Sequence, residues 1–240
     1  MRKLIVNADD FGRSSAINQG IIEGHQKGIV TSASLMTDRE GFEEAVRLAK
    51  ANPRLGIGLH LDLDSFFQVE HGVGRLVAYK DPTVPLDAIV KETESQLKRA
   101  FSTGLPIQHL DGHHHAHLRP ELIATIAALA AKYKIKVIRY FLGFYEGLYP
   151  GAPTEWVREL MARFGLRCVD TFFAGWEPVA SSLPGYRYLD LDVPFKTAEL
   201  MVHPGKGEAW REQELAHCLD PHFKEELATR RIELSTFAQL

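Results

Sequence analysis

The chain has 240 residues, 45% of them apolar and 25% charged, the composition of an ordinary globular protein with enough length for one large catalytic domain over residues 1–240. A formal charge of −3 excludes a global field that would draw it to nucleic acid or to an anionic membrane, and no apolar run approaches membrane-spanning length. Two cysteines, Cys168 and Cys218, form neither a CxxC pair nor a zinc-ribbon spacing, and the short apolar run after Met1 meets Asp9 and Asp10 too soon for a signal peptide; a reduced, cytoplasmic protein is expected.

Lys3–Ala8 reads as a short buried strand followed at once by Asp9-Asp10-Phe11-Gly12. Ser14 or Ser15 caps a helix through Ile17, Ile21, Ile22 and His25 that stops at Gly28. Thr31–Met36 is a second strand, Gly41–Ala51 an amphipathic helix ended by Pro53, and Gly56–Leu63 a third strand carrying His60. Ser65 to Pro85 lacks clear periodicity and is expected to be a long loop. A helix over Leu86–Phe101 precedes a strand at Ile107–Leu110 and then a helix at Glu121–Lys134. Ile135–Arg139 is expected to be a fifth strand, Glu155–Phe164 a helix and Leu166–Val169 a further strand. Between Tyr140 and Pro194 lie many aromatics, Phe141, Phe144, Tyr145, Tyr149, Trp156, Phe172, Phe173 and Trp176 among them, suited to packing or to a sugar-stacking wall. Ala198–Val202 is a late strand ending at His203-Pro204-Gly205, followed by helices around Arg211–Cys218 and His222–Thr229 and a last strand at Ile232–Phe237. The alternation of strand and helix predicts an α/β fold with a mainly parallel sheet.

The stretch His109–His117 holds five of the 11 histidines. Neutral imidazole is a common metal ligand, and a nearby carboxylate such as Asp111 can fix its tautomer. A continuing strand would place His113, His115 and His117 on one side and His114 on the other. A solvated histidine tract is the bland alternative, but tags sit at termini and this run is internal. Asp9 and Asp10, His60, His113 and His203 each fall near the end of a predicted strand, where parallel α/β folds and barrels collect their active sites. Carboxylate and imidazole together suit a divalent metal with an open position. A second carboxylate could then take a proton from water and a histidine across the site could give one to a leaving group, the equipment of a metal-assisted amide or ester hydrolase. No GxSxG elbow, GxGxxG or P-loop is present, which argues against a serine hydrolase and against dinucleotide or NTP binding.

Taken in order, Val6–Gly12, Gly28–Met36, Gly58–Leu61, His109–His117 and Met201–Gly205 resemble the successive signatures of the YdjC-like carbohydrate deacetylases, a family that includes the chitooligosaccharide deacetylase. The resemblance implies a distorted (β/α) TIM-like barrel related to the polysaccharide deacetylases. It implies one divalent ion, Mg²⁺ or Zn²⁺, held by Asp10, His60 and His113, with Asp9 as general base and His203 as general acid. It also implies that Asp111, His115, His117 and Arg139 contact substrate or support the site, Arg139 by orienting Asp9 or touching substrate. Gly112 stands where the family more often has Ser, and Tyr140–Pro194 matches the family poorly. The expected function is removal of acetyl from an N-acetylated sugar, a small oligosaccharide such as diacetylchitobiose. The rivals are a metal-dependent phosphoesterase on a similar barrel and a non-catalytic carbohydrate-binding protein. A homodimer is the default expectation for assembly.

Overall fold

Strand β1 (Arg2–Phe11) is buried on both faces from Leu4 onward, as a central strand of a parallel sheet must be. The computed structural model describes residues 1–70, 75–141, 154–177 and 186–240. Within them β1 is followed by β2 (Ser32–Leu35), β3 (Gly56–Leu61), β4 (Phe67–Glu70), β5 (Arg75–Tyr79), β6 (Ile107–Gly112), β7 (Thr171–Phe173), β8 (Thr197–Val202) and β9 (Ile232–Leu234). The parallel sheet runs β6-β3-β2-β1-β8-β7. β1 needs three partners. β8 pairs along Lys3–Ala8, β9 takes Arg2–Leu4 on the other edge, and β2 takes that edge from Asn7 upward. Single bridges, Leu110 to Ile138 and Val137 to Arg167, carry the curl beyond β6. The result is an α/β fold with a curled half-barrel of parallel strands.

Alternation along each strand divides the two faces. Leu4, Val6 and Ala8 point outward and join Ile17, Ile21, Ala33 and Leu35 in one apolar core under α1 (Ser15–Lys27) and α2 (Phe42–Ala51). Leu59, Leu61 and Leu110 join a second core with Ile89 and Leu97 of α3 (Leu86–Ser102) and Ile123 and Ile126 of α4 (Ile123–Lys132). Burying each such side chain contributes roughly 1.5–3 kcal/mol. Among the described residues the remaining α-helices are α5 (Thr154–Arg163), α6 (Ala209–Leu219) and α7 (Pro221–Thr229). On the inner face, Ile5, Val137, Val169 and Phe237 close the N-terminal end of the barrel. Above them the interior is polar: Asn7, Asp9, Ser34, His60, His109, Asp111, Arg139 and Glu199 are all buried.

Ser14 caps α1, its Oγ accepting from the backbone N–H of Ile17. The helix then presses its Gly20 against the turn after β8. A Cβ at Gly20 would lie 2.5 Å from Cα of Gly205, so the glycine lets α1 seat the His203-Pro204-Gly205 segment.

Four expectations change. The loop expected over Ser65–Pro85 contains an antiparallel hairpin, β4 with β5, whose strands are short and whose pairing slips between Gln68 and Val69. Ile135–Arg139 and Leu166–Val169 make only the two single bridges; the strand in the latter region is β7, farther along. The last strand stops at Leu234, and Phe237–Gln239 turns into a short 3₁₀ segment. The expected alternation of His113–His117 does not occur, because β6 ends at Gly112 and His113–Leu118 is a 3₁₀ turn with positive φ at His114 (51°) and His115 (54°).

Gly58 of β3 faces inward beneath the ring of His109, which stacks on Phe237 at 3.8 Å between centroids. A Cβ there would lie 2.2 Å from His109 Cε1, and the ring is wholly buried with little room to move. Gly58→Ala should therefore cost about 1–3 kcal/mol of stability, read as a fall in the thermal midpoint of about 2–4 °C for each kcal/mol. An unchanged midpoint would show that the interior is loose here.

Candidate active site

The C-terminal ends of β1, β3, β6 and β8 deliver Asp9, Asp10, His60, His113 and His203 to one cavity of about 680 Å³. The aspartate pair near the end of β1 diverges because Asp10 adopts φ of 68°, a left-handed conformation that aspartate tolerates better than most residues. Asp9 stays on the inner face of the barrel, while Asp10 turns toward the histidines.

Asp10 Oδ1 lies 3.1 Å from His113 Nδ1 and 3.6 Å from His60 Nε2. Both Asp10 Oδ1 and His60 Nε2 are buried without a hydrogen-bond partner. Leaving such atoms unsatisfied is costly unless a cation joins them. Ligand atoms about 2.0–2.2 Å from a shared ion stand roughly 3.0–3.5 Å apart, so the observed spacing fits a divalent metal. The other ring nitrogen of His60, Nδ1, donates to Asp111 Oδ1 at 2.8 Å, the carboxylate–imidazole arrangement that fixes tautomer and orientation in metal sites. Burial alone would lower the pKa of His60. The charges of Asp111, Asp9 and Asp10 outweigh that and push it up to about 9. The surroundings of this ring thus call for a positive charge, which a bound ion would supply instead of the proton.

Asp9 is held differently. Arg139 Nη1 and Nη2 donate to its Oδ2 and Oδ1 at 2.8 and 2.7 Å, and Asn7 Nδ2 donates to Oδ1 at 2.8 Å. Arg139 is 1% exposed and also meets Asp111 Oδ2 at 2.8 Å and Glu199 Oε1 at 2.7 Å. It therefore lies behind the cavity and orients Asp9. His117 lies behind the wall too: its Nε2 donates to the backbone carbonyl of Arg139 at 2.9 Å, and burial brings its pKa down to about 4. His115 does line the cavity, set among Phe141, Phe172 and Tyr186. Burial, with the nearby Arg139 charge, keeps it neutral.

His203 follows β8 directly, with its Nε2 4.0 Å from Asp9 Oδ2 and its Nδ1 3.7 Å from Glu214 Oε1. Its backbone N–H donates to Glu214 Oε2 at 2.6 Å. Burial would lower the pKa of this imidazole, but the nearby Glu214 carboxylate, together with Asp9 and Asp10, raises it above the ordinary histidine value.

Glu214 and Arg211, both on α6, carry no sequence signal. In the run Ala209–Leu219 their charges read as a solvated helix face, yet Arg211 is 3% exposed and donates to Asp10 Oδ2 at 2.5 Å. Of the aromatics singled out in the sequence, Trp176 lines the cavity and Phe141 stacks on Phe172 at 4.4 Å beside His115. Phe173 belongs to the outer core and Trp156 is 40% exposed on α5. Phe144, Tyr145 and Tyr149 lie outside the described residues.

The family model described as YdjC-like protein matches residues 3–229. A relative from Brevibacillus brevis named carbohydrate deacetylase is 33% identical, the match covering 99% of each chain. A crystal structure from Enterococcus faecalis V583, of a candidate cellobiose-phosphate cleavage protein, superposes with a TM-score of 0.76 at 24% identity over 99% of this chain and 98% of that one. A family 4 acetyl xylan esterase from Clostridium thermocellum, in complex with a cobalt ion, shares the fold at a TM-score of 0.50 and 13% identity, over 99% of this chain and 89% of that one. With its family match spanning nearly every described strand, this chain belongs to the YdjC-like protein family.

Proposed function

We propose that this protein is a divalent-metal-dependent deacetylase that removes acetyl from an N-acetylated sugar, a small oligosaccharide such as N,N′-diacetylchitobiose. The observation that carries the reading is the convergence of the unpartnered Asp10 Oδ1 and His60 Nε2 with His113 Nδ1, beside Asp9 and His203 in one cavity. The full-length relative named carbohydrate deacetylase supports the substrate class.

Asp10, His60 and His113 would hold the ion, Mg²⁺ or Zn²⁺. When bound, it supplies Lewis acidity that polarises the acetyl carbonyl and lowers the pKa of water. Asp9, aimed by Arg139, takes a proton from the water that adds to the carbonyl. His203, whose pKa the Glu214 carboxylate raises, gives a proton to the departing amine nitrogen. Trp176, Tyr186 and Trp210 supply aromatic surface at the cavity wall for sugar rings.

Phosphoester hydrolysis is supported less well. Phosphate calls for unpaired guanidinium or ammonium groups. Among the described residues lining the cavity, the two arginines, Arg13 and Arg211, both pair with Asp10.

With diacetylchitobiose as substrate, Asp9→Asn should retain bound metal and lose about 10²–10⁴-fold in turnover. His113→Ala should lose both metal and turnover. Metal content and acetate release check these outcomes, and wild-type turnover in metal-saturated Asp9→Asn would remove Asp9 from the base role. Glu214→Gln strips the charge that raises the His203 pKa. An acid that must be protonated is then lost at lower pH, so the alkaline limb of the kcat/KM profile should move toward acid. A limb that stays in place would point to a different acid.

A further inference from the structure

Asp10 presents its two carboxylate oxygens to different surroundings. Oδ1 faces His60 and His113 with no hydrogen-bond partner, while Oδ2 receives Arg211 Nη2 at 2.5 Å. Arg13 Nη1 stands 3.5 Å from Oδ2, but that side chain is 42% exposed and adds little to the hold.

Arg211 is itself immobilised. Its Nε donates to Glu208 Oε2 at 2.6 Å, its Nη1 lies 3.5 Å from the backbone carbonyl of His203, and its guanidinium carbon sits 4.2 Å from the centroid of the Trp210 ring. Its backbone N–H donates to Glu208 O at 3.0 Å and its carbonyl accepts from Gly205 N at 3.3 Å, which ties the start of α6 to the turn after β8. A planar guanidinium held at this many points cannot follow the carboxylate if the carboxylate turns.

Asp9, the neighbouring carboxylate, has both oxygens occupied by Arg139. It lies within 4.0 Å of His60 and, with Asp111, forms another grouping of possible ligands. Yet neither of its oxygens can turn to an ion without breaking a buried charge pair. Asp10 has one oxygen taken and one left.

We infer that Arg211 is a positioning residue that restricts Asp10 to a single metal-facing oxygen, so that two arginines sort adjacent, chemically identical aspartates into a ligand and a non-ligand. This rests on the metal reading of Asp10, His60 and His113 proposed above. A carboxylate free to chelate through both oxygens would fill a position on the ion that water or the acetyl oxygen requires, so a one-oxygen ligand keeps that position open. It also assigns a role to the Trp210–Arg211 pair at the start of α6: Trp210 forms cavity wall and backs the guanidinium that reaches inward to Asp10.

The test uses the full chain loaded with Co²⁺, whose visible d–d absorption weakens as coordination number rises. Arg211→Met should lower the Co²⁺ band intensity and tighten Co²⁺ binding, since the freed second oxygen adds a bond to the ion and a neighbouring positive charge is gone. Arg211→Lys should recover part of both, since a lysine can pair with Oδ2 but cannot hold Glu208 in the same fork. Glu208→Gln, at a side chain 54% exposed, loosens Arg211 without removing it and should give a smaller change in the same direction. Arg211→Met with the wild-type spectrum and affinity would overturn the inference; if that variant does not fold, a wild-type spectrum in Glu208→Gln would do so. Wild-type protein that takes up no Co²⁺ would instead remove the metal reading and this inference together, and that result is told apart from the others before any variant is made.

Discussion

One buried cation organises the inside of this barrel. Arg139 lies with Asp9, Asp111 and Glu199 around it, all out of water. Taking an ion out of water costs several kcal/mol even after relaxation, and removing one partner of a buried pair typically costs 3–5 kcal/mol. The three carboxylates are therefore tolerable only with the guanidinium present. Its surplus is also managed: burial pushes the Glu199 carboxyl up to about 7 against the opposing pull of Arg139, so this group can hold a proton near neutrality and reduce the negative charge. Each arm of the cluster has an outlet at the cavity. Asp9 is aimed by Arg139 directly, and Asp111, pinned by Arg139 and by Ser34 Oγ at 2.6 Å, fixes the ring of His60.

The fold around this cluster is built to bring irregular backbone close to regular strands. Arg139 comes from a segment that makes only single bridges, and His117 holds its carbonyl from the 3₁₀ turn after β6. Left-handed backbone at Asp10, His114 and His115 concentrates at the cavity. Such conformations cost of order 1–3 kcal/mol each and persist where the surroundings over-determine them. Here the ion pairs of Asp10 and the packing of His115 supply that constraint. Outside the barrel, two apolar cores under the helices provide the stability that lets the interior remain polar.

Much of this was legible in the residues. The buried strands β1, β3 and β8 announce themselves as short branched runs, and the chemistry-bearing side chains sit at their ends, where a parallel sheet opens. The capped α1 and the apolar stripe of α3 follow from helical spacing. Three things were not legible. The hairpin of β4 and β5 is too short for periodicity to emerge. The turn within the histidine run was hidden because positive φ at two non-glycine residues leaves no mark in composition. Arg211 and Glu214 were hidden because a charged helix position reads as solvated until the fold lays that helix across the mouth of a cavity. The motif residues can be found one by one; their supports depend on which elements the topology brings together.

The account stands most directly on whether acetyl removal depends on an ion at Asp10, His60 and His113. The measurement is mass spectrometry of N,N′-diacetylchitobiose and a few other acetylated saccharides after incubation with chelator-treated protein, the same protein reloaded with Mg²⁺ or Zn²⁺, and reloaded Asp10→Ala. The account predicts a product lighter by the mass of an acetyl group, replaced by hydrogen, only with the reloaded wild-type protein. Equal product from the chelated protein or from Asp10→Ala, or no product on any sugar from protein carrying one ion per chain, would contradict it.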